Sequence, residues 1–257
     1  MPRSDGRPSA SSPIPARLDL VQSLTGLALA LFMWTHLLLV SSILLGKDAM
    51  QFVTDLMEAK FLTDGEHGYP ILVTITGVAV STLFIVHAGI ALRKFPSSWA
   101  QHRELRHQMG ILKHADTKYW YLQAVTGFVM FFLGSVHLYI MTTQPDSIGP
   151  YASSDRFWTD VMWPLYLVLL FAVEIHAAVG MYRLAIKWGI FDGKNPVATR
   201  KRLKLVKNLL TVFFLTLGLM SFAAYMKIGI EHKDRAGERY RAETHVSSPD
   251  VARGESR

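Results

Sequence analysis

Five long apolar stretches run through this sequence, over residues 20–45, 70–92, 119–141, 161–186 and 208–226, and almost no charge falls inside them. Each is long enough to cross a hydrocarbon core of about 30 Å at about 1.5 Å of rise per residue. Every Lys and Arg lies in a terminus, in a connecting segment or, like Arg183, in the last turn of a stretch. Of the 20 acids, only Glu174 lies within one. An unpaired charge in lipid is costly, so this partition is what membrane insertion demands. The expected fold is all-α, an integral membrane bundle of five transmembrane helices. The chain has 257 residues, half of them apolar and only 18% charged, which argues against an ordinary soluble enzyme.

The connecting segments alternate in sign. Segments 93–118 and 183–207 carry 6 and 8 basic residues against 2 acids and 1, whereas 47–69 and 143–160 carry 5 and 3 acids against 2 basic residues and 1. The positive-inside rule then places the basic segments and the N-terminus in the cytoplasm, and the C-terminus on the opposite face of the membrane. Residues 1–18 are polar and hold Pro2, Pro8, Pro13 and Pro15, without the apolar middle of a signal peptide; they read as a disordered tail. A bundle domain over 19–229 and a polar tail over 230–257 complete the expected organisation. No short repeat stands out. The net charge of +7 does not indicate nucleic acid, because the basic residues flank spans and form no patch with interleaved aromatics. With no cysteine, the chain has no disulfide, no Cys-ligated zinc, no iron–sulfur cluster of its own and no covalent c-type haem.

Ten histidines divide into two sets. His67, His102, His107, His114, His232 and His245 lie in connecting segments or tails and read as polar surface. His36, His87, His137 and His176 lie inside the first four stretches, one in each. One intramembrane histidine is readily explained as a satisfied core residue; four on four separate helices point to function. Their depths pair them. His36 and His137 fall in the outer halves of helices running outward, and His87 and His176 in the inner halves of helices running inward. Two pairs at two depths suit two bis-histidine haems stacked across the membrane, b-type because no cysteine is present, and limited to electron transfer because both axial positions are filled. The glycines within the stretches, among them Gly26, Gly77, Gly89, Gly127, Gly134 and Gly180, let helices or a flat macrocycle approach closely. Aromatics near span ends, such as Trp120, Trp163, Tyr182 and Trp188, fit an interface belt.

The strings LDLVQSLTGLALALFMWTHLLLVSSILLG, HAGIALRKFP, TGFVMFFLGSVHLYIM, TQPDSIGP and WPLYLVLLFAVEIHAAVGMYRLAIKWG resemble the dihaem cytochrome b membrane anchor of menaquinol:fumarate reductases, within the succinate:quinone oxidoreductase superfamily. The likeness spans residues 18–226 or so. It implies that His36 and His137 hold a distal haem and His87 and His176 a proximal one. It also implies that Gln22, Ser23, Trp120, Arg156 and Lys187 contact haem propionates or edges, and that Glu58 accepts the quinol proton. Menaquinol would be the substrate. FAD and iron–sulfur clusters would sit in a flavoprotein subunit and an iron–sulfur subunit, in a dimer of heterotrimers embedded in the bilayer.

Inward electron flow against an inside-negative potential costs about 2.3 kcal/mol per charge per 100 mV, and an inward proton would cancel that cost. Glu174, two residues before His176, is the one buried carboxyl placed to carry it. The resemblance implies the same relay role, helped by the haem propionates. Three other readings stand beside this one: the same complex oxidising succinate and reducing quinone, a haem anchor for another dehydrogenase, and a haem-free proton channel.

Overall fold

The computed structural model describes residues 12–63, 67–96, 98–112 and 115–241. His114, His245, most of the expected N-terminal tail and residues 242–257 lie outside the described residues. Among the described residues there are eight α-helices: α1 Ile14–Val40, α2 Lys47–Met57, α3 Ile71–Leu92, α4 Trp99–Leu112, α5 Ala115–Thr143, α6 Pro150–Trp158, α7 Trp163–Trp188 and α8 Pro196–His232. Five of them (α1, α3, α5, α7 and α8) are long and apolar enough to cross a membrane. The fold class is the all-α membrane bundle expected from the sequence.

The boundaries differ in instructive ways. Helix α1 begins at Ile14, inside the segment read as an irregular tail, with a proline in its first turn. A proline there loses no helical hydrogen bond and its fixed φ favours the helix, so Pro13 and Pro15 mark a helix start. Helix α8 begins at Pro196, a dozen residues before its apolar run. Asn195 caps it, its side chain accepting from the backbone N–H of Val197 and Ala198 at 3.1 Å. At about 1.5 Å per residue α8 is roughly 55 Å long, so its basic N-terminal turns stand clear of the hydrocarbon. It also runs to His232, past the expected boundary at 230. Helices α2, α4 and α6 occupy segments read only as connections.

Helices α1, α3, α5 and α7 pack in a closed ring, α1 on α3, α3 on α5, α5 on α7 and α7 on α1. Helix α8 lies outside the ring against α7, α6 and α1. With lipid as solvent there is little hydrophobic drive between helices, so close contact rests on small residues. Ala172, Ala177, Ala178 and Ala185 of α7 and Gly218 of α8 are buried. A Cβ on Gly218 would sit 2.5 Å from Leu170 Cδ1, and one on Gly229 would sit 2.5 Å from the Ser154 carbonyl oxygen.

The two ends of the bundle carry different polar chemistry. At the end holding the start of α1, Arg93, Lys94 and Lys187 converge on Asp19, Lys94 at 3.0 Å and Lys187 at 3.2 Å. Asp116 there faces Arg200 at 3.5 Å and Lys204 at 3.8 Å, and accepts from the Tyr182 hydroxyl at 3.0 Å. At the other end, buried His232 meets Asp155 of α6 at 2.9 Å through Nδ1 and stacks on Tyr151 at 3.9 Å. The Gly237 N–H donates to the second Asp155 oxygen at 2.9 Å, and Tyr240 donates to Asp48. The chain after α8 is thereby folded back over α6 and α2.

Gly229→Ala is expected to destabilise the protein by about 1–3 kcal/mol, because its new methyl meets a backbone carbonyl. Thermal melting of the purified protein in detergent checks this, with Gly89→Ala, which meets nothing within 4 Å, expected to melt near wild type.

Candidate functional site

The ring of four helices brings the intramembrane histidines together in two pairs. His36 of α1 and His137 of α5 have ring centroids 6.2 Å apart, and His87 of α3 and His176 of α7 have them 6.4 Å apart. A metal–imidazole bond is about 2 Å long and a ring nitrogen lies about 1 Å from its centroid, so two rings on opposite sides of one metal stand about 6 Å apart. Both separations fit. Among the described residues no three His, Asp or Glu side chains gather as a site for a bare ion. Two facing imidazoles suit an iron whose other four positions a porphyrin already fills.

His87 and His176, expected to be the inner pair, are held by matched cradles. His87 Nδ1 lies 3.2 Å from the Gln22 carbonyl oxygen and 3.2 Å from Thr25 Oγ1. His176 Nδ1 lies 2.9 Å from the Gln123 carbonyl oxygen and 3.4 Å from Thr126 Oγ1. A carbonyl can only accept, so each Nδ1 must carry the proton, and each Nε2 is left with a lone pair for a metal. Thr25 and Thr126 bond back to the carbonyls of Val21 and Leu122, which turns their lone pairs towards the imidazoles. Gly26 and Gly127 make room for the rings: a Cβ at either would stand 2.8 or 3.0 Å from the facing Cε1.

These residues form a repeat that the sequence reading missed. Gln22, Thr25, Gly26 and His36 recur at identical spacing as Gln123, Thr126, Gly127 and His137. The signal is a spaced pattern and not a contiguous string, hidden among ordinary apolar substitutions. Each copy supplies one histidine of the outer pair and the cradle for one histidine of the inner pair.

A cavity of about 580 Å³ lies between the inner histidines, and Gln22, Ser23, Trp120 and Lys187 line it. Among the described residues, buried Gln22 Oε1 has no hydrogen-bond partner. Trp188, read as an interface-belt residue, donates its indole N–H to Ser23 Oγ at 2.9 Å. Arg156 is not in this cavity. It is buried in α6 and donates to the Ser147 carbonyl and, at 2.7 Å, to Ser147 Oγ. Tyr166, edge-on to His137 at 5.6 Å, stacks on the neighbouring Phe157, so Arg156 belongs with the outer pair.

Glu58 closes α2 at the end of the bundle opposite the start of α1. Its N–H bonds to the Thr54 carbonyl and its own carbonyl accepts from Tyr69 N–H at 2.7 Å. The next residue, Ala59, is buried with φ +52°, a conformation rare for a residue with a Cβ, which turns the chain sharply away. The carboxyl lies against Gly68, where any side chain would overlap it. Partial burial, and then the negative charge of Asp55, push the Glu58 carboxyl above its ordinary range; Arg239 and Lys60 pull the other way. Glu174, by contrast, is fully buried within the membrane span and accepts from the Trp34 indole N–H at 3.0 Å. Trp34 was not singled out from the sequence.

An all-helical membrane bundle with facing imidazole pairs at two depths defines a class, the multi-pass membrane cytochromes. Residues 99–217 match the family described as succinate dehydrogenase/fumarate reductase transmembrane subunit. The chain is 52% identical over 223 residues to the fumarate reductase cytochrome b subunit of Wolinella succinogenes, covering 87% of this chain and 86% of that one. It is 48% and 47% identical over 224 residues to the subunits of the same description from Helicobacter pylori strains J99 and 26695, covering 87% of this chain and 85% of each of those. The chain belongs to the family of fumarate reductase cytochrome b subunits.

Asp55→Asn is expected to lower the titration midpoint of Glu58 and Arg239→Gln to raise it, by removing a negative and a positive neighbour respectively. A pH series of carboxyl infrared bands, assigned with Glu58→Gln, measures both.

Proposed function

We propose that this protein anchors a fumarate reductase in the bacterial inner membrane, oxidises menaquinol near its outer end and delivers the electrons to an iron–sulfur subunit docked at its inner end. A flavoprotein subunit would then reduce fumarate to succinate, and two such trimers would pair. The observation that carries this reading is the two imidazole pairs, each at metal-bridging separation, in a chain more than half identical to a fumarate reductase cytochrome b subunit. His36 and His137 would hold a distal haem b and His87 and His176 a proximal one, and these groups would supply one-electron carriers between the quinol and the partner subunits.

The chain's own residues do the rest. The Gln22 and Gln123 carbonyls hold the proximal imidazoles in one tautomer. Lys187, Gln22, Ser23 and Trp120 offer cationic and hydrogen-bonding partners to the proximal propionates or edge, and Arg156 does so at the distal end. Glu58 accepts a quinol proton at its carboxylate and releases it outward; its raised pKa brings it nearer the working pH, which favours a general base. The cationic end around Asp19 and Asp116 lies in the cytoplasm by the positive-inside rule and forms the docking face. Glu174 carries a proton inward, which offsets the charge moved by the electrons.

His87→Ala and His176→Ala are each expected to remove the same haem, leaving one b haem per chain by pyridine haemochrome assay; loss of different haems would break the pairing. Glu58→Gln is expected to abolish menaquinol oxidation while fumarate reduction by a soluble dye continues in the partner subunits. In the wild type, menaquinol oxidation should fall as pH drops through the raised Glu58 value, because the carboxylate is then lost; a rate flat across that range would argue against the assignment.

A further inference from the structure

Helix α6 buries two opposite charges next to each other, Asp155 at 8% exposure and Arg156 at 7%. Buried neighbours of opposite sign would ordinarily pair, because a buried charge left alone is costly. Here they do not. Successive side chains leave a helix about 100° apart, and these two are held in different directions. Arg156 donates to the Ser147 carbonyl and, at 2.7 Å, to Ser147 Oγ, and among the described residues it forms no ion pair with a carboxylate.

Both oxygens of Asp155 are taken by the end of α8 and the chain beyond it. Oδ1 lies 2.9 Å from His232 Nδ1, and Oδ2 accepts from the Gly237 N–H at 2.9 Å. His232 is buried and stacked on Tyr151, and its Nε2 has no hydrogen-bond partner among the described residues, so the ring's polar contact is with Asp155. Packing fixes the same arrangement. A Cβ on Gly229 of α8 would sit 2.5 Å from the Ser154 carbonyl oxygen and 2.7 Å from Trp158 Cβ, which leaves α6 no room to roll. On the Arg156 side the pattern is reversed, with polar groups unspent. The hydroxyl of Tyr166, whose ring stacks on Phe157, is buried with no hydrogen-bond partner among the described residues. That suits a polar group from outside the chain, such as a haem propionate.

We propose that Asp155 and His232 are positioning residues. His232 and the segment after α8 hold the Asp155 carboxylate away from Arg156, so that the guanidinium keeps its charge for the distal haem. This rests on the reading of Arg156 as the cation at that haem. A cation beside a haem favours the reduced form, which carries one positive charge fewer, and so raises its midpoint potential. A released Asp155 would pair with Arg156 and cancel that effect.

The test is a redox titration of the three-subunit enzyme, followed in the haem b absorbance bands, with the distal haem assigned as the one retained in His176→Ala. Arg156→Gln should lower the distal midpoint and leave the proximal one in place. His232→Phe, which keeps a ring against Tyr151 but has no donor, should lower the same midpoint. Adding Asp155→Asn to His232→Phe should bring it back towards wild type, since an amide cannot neutralise a guanidinium. His232→Asn, whose amide N–H can stand in for Nδ1, should stay near wild type. A residue that served stability alone would give no such recovery on loss of a second partner. If His232→Phe costs a haem, Gly237→Pro carries the test: it removes the donor to Oδ2 in an exposed segment and should shift the midpoint the same way, again reversed by Asp155→Asn. A distal midpoint unmoved by loss of either donor, or not recovered with Asp155→Asn, overturns the proposal. If Arg156→Gln moves neither haem, the reading of Arg156 fails and this inference falls with it.

Discussion

An imidazole sunk in hydrocarbon has two nitrogens to satisfy, and the bundle is arranged around how that is done. In the inner pair one nitrogen of each ring is committed to a backbone carbonyl of the neighbouring helix, which leaves the other aimed across the lumen. That requires the carbonyl, a threonine and a glycine to present one face at one height. It also requires α3 to lie tight against α1, and α7 against α5. The ring order α1, α3, α5, α7 follows from the same contacts. The Gln–Thr–Gly–His pattern, occurring once in α1 and once in α5, is the covalent record of that geometry.

The outer pair is supported differently. His137 Nδ1 is buried without a hydrogen-bond partner among the described residues, and its ring meets Tyr166, with Phe157 and Arg156 close behind. The support comes from α6, a short helix whose Asp155 points to His232 while its neighbour Arg156 points to Ser147. This helix joins the tail of α8 to the outer histidines. Glu58 lies at the same end, its carboxyl set against Gly68 and its backbone turned by the left-handed Ala59.

Helix α8 carries no intramembrane histidine and stands outside the ring. It nonetheless covers the face of α7 that bears Glu174, and Phe214 backs the tryptophan that holds the carboxyl. His176, proposed as a haem ligand, and Glu174, the proposed proton carrier, thereby lie on opposite faces of α7. The separation has a plain geometric origin, two residues of helical rotation.

The five spans, their alternating direction, the sorting of histidines by depth and the isolation of Glu174 were legible in the chain as a string. Exclusion of charge from lipid and a fixed rise per residue are one-dimensional constraints, and they act on every residue of a span alike. Helix starts were less legible, since Pro15 and Pro196 look like breakers until they are seen in first turns, and the charged turns of α8 look like a loop. Beyond the two histidine pairs, the neighbours of individual side chains were not legible. Trp34 against Glu174, Gly26 against His87, Gly127 against His176 and the turn of Glu174 away from the imidazoles depend on how helices are rotated about their axes and which of them touch. Only the packed bundle decides that, because contact between residues 140 positions apart is set by the fit of whole helix faces and leaves no mark in local sequence.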